Sequence, residues 1–109
     1  MALKIADIVT PMLDAAKPIF EKYWSDVKPY AEKEAKGFAQ NLLMIEKLKL
    51  LGKMTQEEAA IHIRIQKNSY LSVLTAIAGI SAITAENALN AAIGVVRDTV
   101  NKAIGWKLL

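Results

Sequence analysis

Cysteine is absent from the 109 residues, so no disulfide frame and no thiolate or paired-Cys metal chemistry is available. Histidine occurs once, at His62, which excludes the two-histidine helix of zinc proteases and the paired Glu-x-x-His of di-iron bundles. Turn formers are scarce: with five glycines and three prolines in the whole chain, there is little material for the many turns of an all-β fold. No Gly-rich phosphate loop and no nucleophile elbow is present. Charge of one sign is also lacking. The 14 basic and 11 acidic residues interleave to a net +3, without the basic stripe that nucleic-acid binders carry. The first residues, MALKIADIVTPML, have no compact apolar run followed by a small-residue cleavage site, so they read as mature protein, cytoplasmic or incorporated in an assembly.

What is present is apolar surface. Hydrophobic residues make up 53% of the chain and mean hydropathy is +0.22, high enough to exclude disorder in a single domain of this length. The expected class is all-α: an elongated helical hairpin, with a proline-kinked N-terminal helix and one long C-terminal helix, packed in an oligomeric bundle.

The clearest local signal is LLGKMTQEEAA. Gly52 can stop a helix in the left-handed conformation, Thr55 can cap the next one, and Glu58 three residues on completes a capping box. The hairpin is therefore expected to turn at 52–55. Upstream, Phe38, Leu42, Ile45 and Leu48 recur at helical spacing, with Leu43, Leu50 and Leu51 widening the stripe, which predicts a helix over 29–51. Lys28–Glu32 and Glu32–Lys36 sit four apart on its wet side. Residues 3–27 have a helical pattern interrupted by Pro11 and Pro18. Thr10–Pro11 suits a cap followed by proline at the first helical position, and a break is expected near 25–29, where Ser25 or Asp26 precedes Pro29.

Downstream of Thr55 there is no proline, and a single helix over 56–104 is expected, about 70 Å long. Residues 70–96 carry one charge, Glu86. At 100° per residue, Val73, Leu74, Ile77, Ala88, Ala91, Ala92 and Val95 share one broad face. Ser72, Thr75, Gly79, Glu86, Asn90, Arg97 and Asn101 form a thin polar line opposite, on the side where Ile61 and Ile65 stand further upstream. The pairs Thr75/Gly79, Ala78/Ala82 and Ala88/Ala92 let helix backbones approach closely. A two-helix hairpin has no interior to hide such a helix, so the expected oligomer interface comprises Leu74, Ile77, Ala78, Gly79, Ala82, Ala88, Ala92 and Val95. The polar line through Glu86, Asn90 and Arg97 is then a solvent face, a register-fixing layer between copies, or the lining of a pore.

Function follows these surfaces. The leading expectation is a non-enzymatic structural subunit of a homo-oligomeric assembly (filament, shell lining or virus-particle component), with no cofactor, metal or small-molecule substrate. The alternative is a membrane-associated or pore-forming protein that inserts residues 70–96 into lipid. The 18 uncharged residues between Lys67 and Glu86 sit at the lower edge of a span, and Asn68, Ser69, Ser72, Thr75, Ser81 and Thr84 weaken it. A third reading is an adaptor whose groove takes a partner's helix. Tyr23, Trp24, Tyr30 and Trp106 beside Lys107 are candidate subunit contacts or interfacial anchors. Lys47, Lys49, Lys53, Arg64 and Lys67 form a basic tip diluted by Glu46, Glu57 and Glu58.

Overall fold

The computed structural model describes residues 3–109. These form four α-helices: α1 (Ile5–Phe20), α2 (Trp24–Leu50), α3 (Gln56–Thr75) and α4 (Ala82–Ile104), with a short 3-10 segment, Glu21–Tyr23, between α1 and α2. Three local observations fix their directions. Gly79, between α3 and α4, lies against the Tyr23 ring between α1 and α2. The Lys49 ammonium donates to the Ile104 carbonyl, which brings the end of α4 to the end of α2. Leu3 and Asp7 share a surface cleft with Thr99, Lys102 and Ala103, so α1 begins where α4 finishes. Hence α1 and α3 run opposite to α2 and α4. Here α1 and α3 each pack on both α2 and α4, which also touch each other, so the fold is an up-down-up-down bundle.

The elements that form as expected are those set by local chemistry. The box at Thr55 is complete: its hydroxyl accepts from the Glu58 N–H at 3.1 Å, and the Glu58 carboxylate accepts from the Thr55 N–H at 3.0 Å. Gly52 takes φ +68° after α2. Phe38, Leu42 and Ile45 are fully buried. Lys28 and Glu32 approach to 3.9 Å, an exposed pair of small energetic weight, whereas Glu32 and Lys36 do not pair.

Four further expectations fail. Thr10–Pro11 lies inside α1, which already starts at Ile5, and Pro29 lies inside α2, which starts at Trp24 with no side-chain cap. Pro29 is only just past the first turn of α2 and, like Pro18, is exposed, so the carbonyl each leaves unpaired meets water. The chain turns earlier instead, at 21–23, where Glu21 has φ +52° and ψ −121°.

The long C-terminal helix is also overturned. Residues 76–81 break it: Gly79 takes φ +86°, and Ser81 caps α4 by accepting from the Thr84 N–H at 3.1 Å. A helix of about 70 Å would overrun a molecule whose longest dimension is 44 Å, close to the length of α2 alone. Folding back lets α3 and α4 cover each other, and the interior that a hairpin lacks is supplied by α1 and α2. Finally, Leu50 and Leu51 do not widen the buried stripe. They project from the tip, 73% and 56% exposed.

Alanine sets the spacing of the core. Ala16, Ala31, Ala35, Ala39, Ala59, Ala85, Ala88 and Ala92 are all buried, so the helices approach closely around a few large side chains, chiefly Phe20, Phe38, Tyr70, Met12 and Leu42. Beyond α4, Gly105 (φ +84°) reverses the chain, and the Asn101 side chain holds the tail. Its oxygen accepts from the Leu108 and Leu109 N–H groups, both at 3.0 Å, and its amide donates to the Leu109 carbonyl at 3.3 Å.

Candidate interaction surface

The bundle divides the expected interface into two groups. Leu74, Ala88 and Ala92 are buried within the chain by its own helices and have no surface left for a second copy. Ile77 is half-buried, while Ala78, Gly79, Ala82 and Val95 remain exposed, the first three at or beside the α3–α4 corner. Glu86, Asn90 and Arg97 are all exposed along the outer side of α4 and make no hydrogen bond or ion pair with the described residues, so in the single chain they form a solvent face. Asn101, on the same line in sequence, is instead engaged with the C-terminal tail.

Ile83, also on α4, is 73% exposed, and further apolar exposure lies on the α2–α3 hairpin. On α3 the residues facing the core are Ala59, Ile63, Tyr70 and Leu74. At 100° per residue Ile61 and Ile65 fall on the opposite side of the helix, and they are 48% and 57% exposed. Together with Leu50 and Leu51 at the adjoining tip, they give the α2–α3 hairpin four large aliphatic side chains in water. The sequence signal was the phase shift of Ile61 and Ile65 relative to the downstream apolar face. Its meaning was hidden because the register of α3 against α2 was unknown. Glu57, Glu58, His62 and Arg64 are exposed on neighbouring positions. The Thr55 hydrogen bonds hold the Glu58 carboxyl below its ordinary range, with a smaller contribution from His62.

At the other end of the same helix pair, Asp26, Tyr30, Lys33 and Glu34 of α2 face Val73, Ala76 and Ile77 across an open groove of about 670 Å³. The Ser69 hydroxyl reaches toward Glu34 at 3.5 Å. Below it Tyr70 is buried, and desolvation, reinforced by the Glu34 charge, pushes its phenol up to about 12. The groove mixes both charge signs with half-buried aliphatics and has no converging set of donors.

The aromatic residues do not form paired anchors. Trp24 stacks on Phe20 with centroids 6.2 Å apart, whereas Trp106 lies at the opposite end of the bundle, where the Lys49 ammonium sits 4.8 Å from its ring centroid. That same contact withdraws Lys49 from the basic tip, leaving Lys47, Lys53 and Arg64 exposed. Glu46, read as part of the exposed tip, is instead 4% exposed, and its Oε1 has no hydrogen-bond partner among the described residues.

Among the described residues, no three His, Cys, Asp or Glu side chains gather where a metal ion could be held. Nor, among the described residues, is any helix long and apolar enough to cross a membrane. No protein-family model, curated protein or solved structure matches the chain.

Proposed function

We propose that this chain is a non-enzymatic structural protein that self-associates as a subunit of a larger homo-oligomeric assembly. The observation that carries the proposal is the outward pair Ile61 and Ile65 on α3, with Leu50 and Leu51 also exposed at the tip of the hairpin. A bundle helix needs apolar residues only on its core stripe. Isoleucine on the outer side adds nothing to helix propensity, since branching at Cβ restricts its side chain. Covering these half-exposed side chains contributes on the order of 1 kcal/mol each.

A second copy of the chain suits this surface because acidic Glu57 and Glu58 and basic Arg64 border the same apolar pair. A patch carrying both signs complements itself across a two-fold axis. It is less suited to an anionic lipid surface, where the acidic pair would be repelled.

The test is absolute mass by light scattering at several concentrations, for the native chain and for Ile61→Lys/Ile65→Lys, with circular dichroism to check that both are folded. A native mass that rises with concentration to a defined multiple, and a double variant of smaller mass at the same concentrations, is the expected result. A native chain that stays monomeric throughout would sink the self-association reading. An unchanged oligomer in the double variant would remove α3 as the contact. A blue shift of Trp24 or Trp106 fluorescence on adding vesicles would point to lipid in place of protein.

A further inference from the structure

The junction between α1 and α2 has an unusual economy. Every residue from Ile5 to Leu50 is in helical secondary structure, α or 3-10, on both sides of Glu21. Phe20 and Trp24 have ordinary right-handed helical torsions, and Tyr23 is close to them at φ −83°, ψ −4°. Glu21, at φ +52° and ψ −121°, is the one non-glycine among the described residues with a positive φ. Those angles match the first central position of a type II′ turn, which glycine normally fills because a Cβ there is crowded by the backbone. An L-residue held in such a region stores on the order of tenfold or more in the equilibrium between the strained and relaxed backbone. The surroundings must hold it there, and what holds it is the packing of α1.

That packing is extensive. Ile8, Val9, Met12, Ala16 and Phe20 are buried, and α1 makes its main contacts with α4 and α2. The slot for α1 is therefore largely formed by the other helices, while the tie between α1 and that slot is a single strained residue. If Glu21 relaxes to helical torsions, α1, the 3-10 segment and α2 become one helix over residues 5–50, about 70 Å long. Pro18 and Pro29 already lie within α1 and α2, so straightening adds no new proline penalty.

We infer that this chain forms a dimer by exchanging α1: Glu21 opens, and the α1 of each copy fills the α1 slot of the other. A short, strained hinge between well-packed elements favours such an exchange, because the open form rebuilds the contacts of α1 with α2 and α4 between copies and releases the hinge strain. The inference rests on the self-association proposed above, but not on the α3 face. The two are compatible, since α3 takes no part in the exchange and each bundle of the dimer still presents Ile61 and Ile65, which gives the dimer two outward contacts.

The absence of cysteine provides a clean test. Asp7 in α1 and Thr99 in α4 line the same cleft, so Asp7→Cys/Thr99→Cys, oxidised at low concentration and shown by mass spectrometry to carry an intrachain bond, fastens α1 to its own bundle. Native chain, locked chain and Glu21→Gly are each unfolded, refolded at high concentration and sized by light scattering. Glycine accepts the closed torsions and disfavours the continuous helix, so Glu21→Gly should yield at least about tenfold less dimer at equal concentration. In the Ile61→Lys/Ile65→Lys background, which removes association through α3, the locked chain should be monomeric when oxidised and dimerise after reduction. A locked chain that in that background dimerises as the unlocked chain does overturns the exchange. If the native chain associates while Ile61→Lys/Ile65→Lys stays monomeric, self-association through α3 stands and the exchange falls. A native chain that never dimerises removes both.

Discussion

Replacing Gly79 by alanine tests whether the two corners at one end of the bundle really meet. Gly79 has φ +86°, and a Cβ built there would lie 2.9 Å from Cε1 of Tyr23, with the next ring atom at 3.4 Å. Two penalties therefore combine. The left-handed backbone costs an L-residue about 1–2 kcal/mol, and pressing a methyl group into the tyrosine ring costs about 1–3 kcal/mol more. Gly52 supplies the control, because at φ +68° it has nothing within 4 Å of the same added atom, so Gly52→Ala pays only the backbone cost. In thermal unfolding followed by circular dichroism, where 1 kcal/mol moves the Tm of a domain this size by about 4 °C, Gly52→Ala should lower Tm by about 4–8 °C and Gly79→Ala by about 8–20 °C. In a Tyr23→Ala background, the extra loss at Gly79 should disappear while the backbone loss persists. Equal losses for the two glycines in the native background would refute the reasoning, because Tyr23 would then not be seated on the α3–α4 corner.

Four further outcomes follow from single groups. Thr55→Ala removes the α3 cap and should destabilise by about 1 kcal/mol in urea unfolding. Because the folded-state Glu58 carboxyl lies below its ordinary value of 4.5, its stabilisation is complete above that value and is lost as pH falls through the lowered one; Glu58→Gln should therefore flatten the acid limb of a Tm-against-pH curve. Tyr70 works in the opposite sense: with its phenol raised from 10 to about 12, it favours the folded state below pH 10 and loses that contribution as pH climbs toward 12, so Tyr70→Phe should soften the alkaline loss of stability. Glu46→Met replaces a buried carboxylate with an unpaired Oε1 by an apolar chain of similar shape, and should raise Tm; a lower Tm would mean that the carboxylate has a stabilising role the unpaired oxygen does not reveal.

The sequence alone determined that this chain is helical, where α3 begins, and which side of α2 is buried. Those features depend on groups within four residues of one another: the Thr55 hydroxyl and Glu58 carboxylate, or Phe38, Leu42 and Ile45 on one stripe. The same sequence also marked Glu86, Asn90 and Arg97 as one line, now exposed along α4. It did not determine the break at 76–81, although Ser81 and Thr84 hold the cap signal. A run of Ala, Ile, Ser, Thr and Gly is apolar on nearly every side, so periodicity could not say where it folds back. The position of the break depends on Gly79 meeting Tyr23, a contact between segments far apart in the chain. Tertiary structure likewise decided that Leu74, Ala88 and Ala92 serve the chain's own core while Leu50, Leu51, Ile61 and Ile65 face water. It also placed the first corner at Glu21 and not at Pro29, because burial of α1 against α4 outweighs the strain of one backbone residue. Local bonds write themselves into sequence; which apolar face meets which depends on how four helices share one interior.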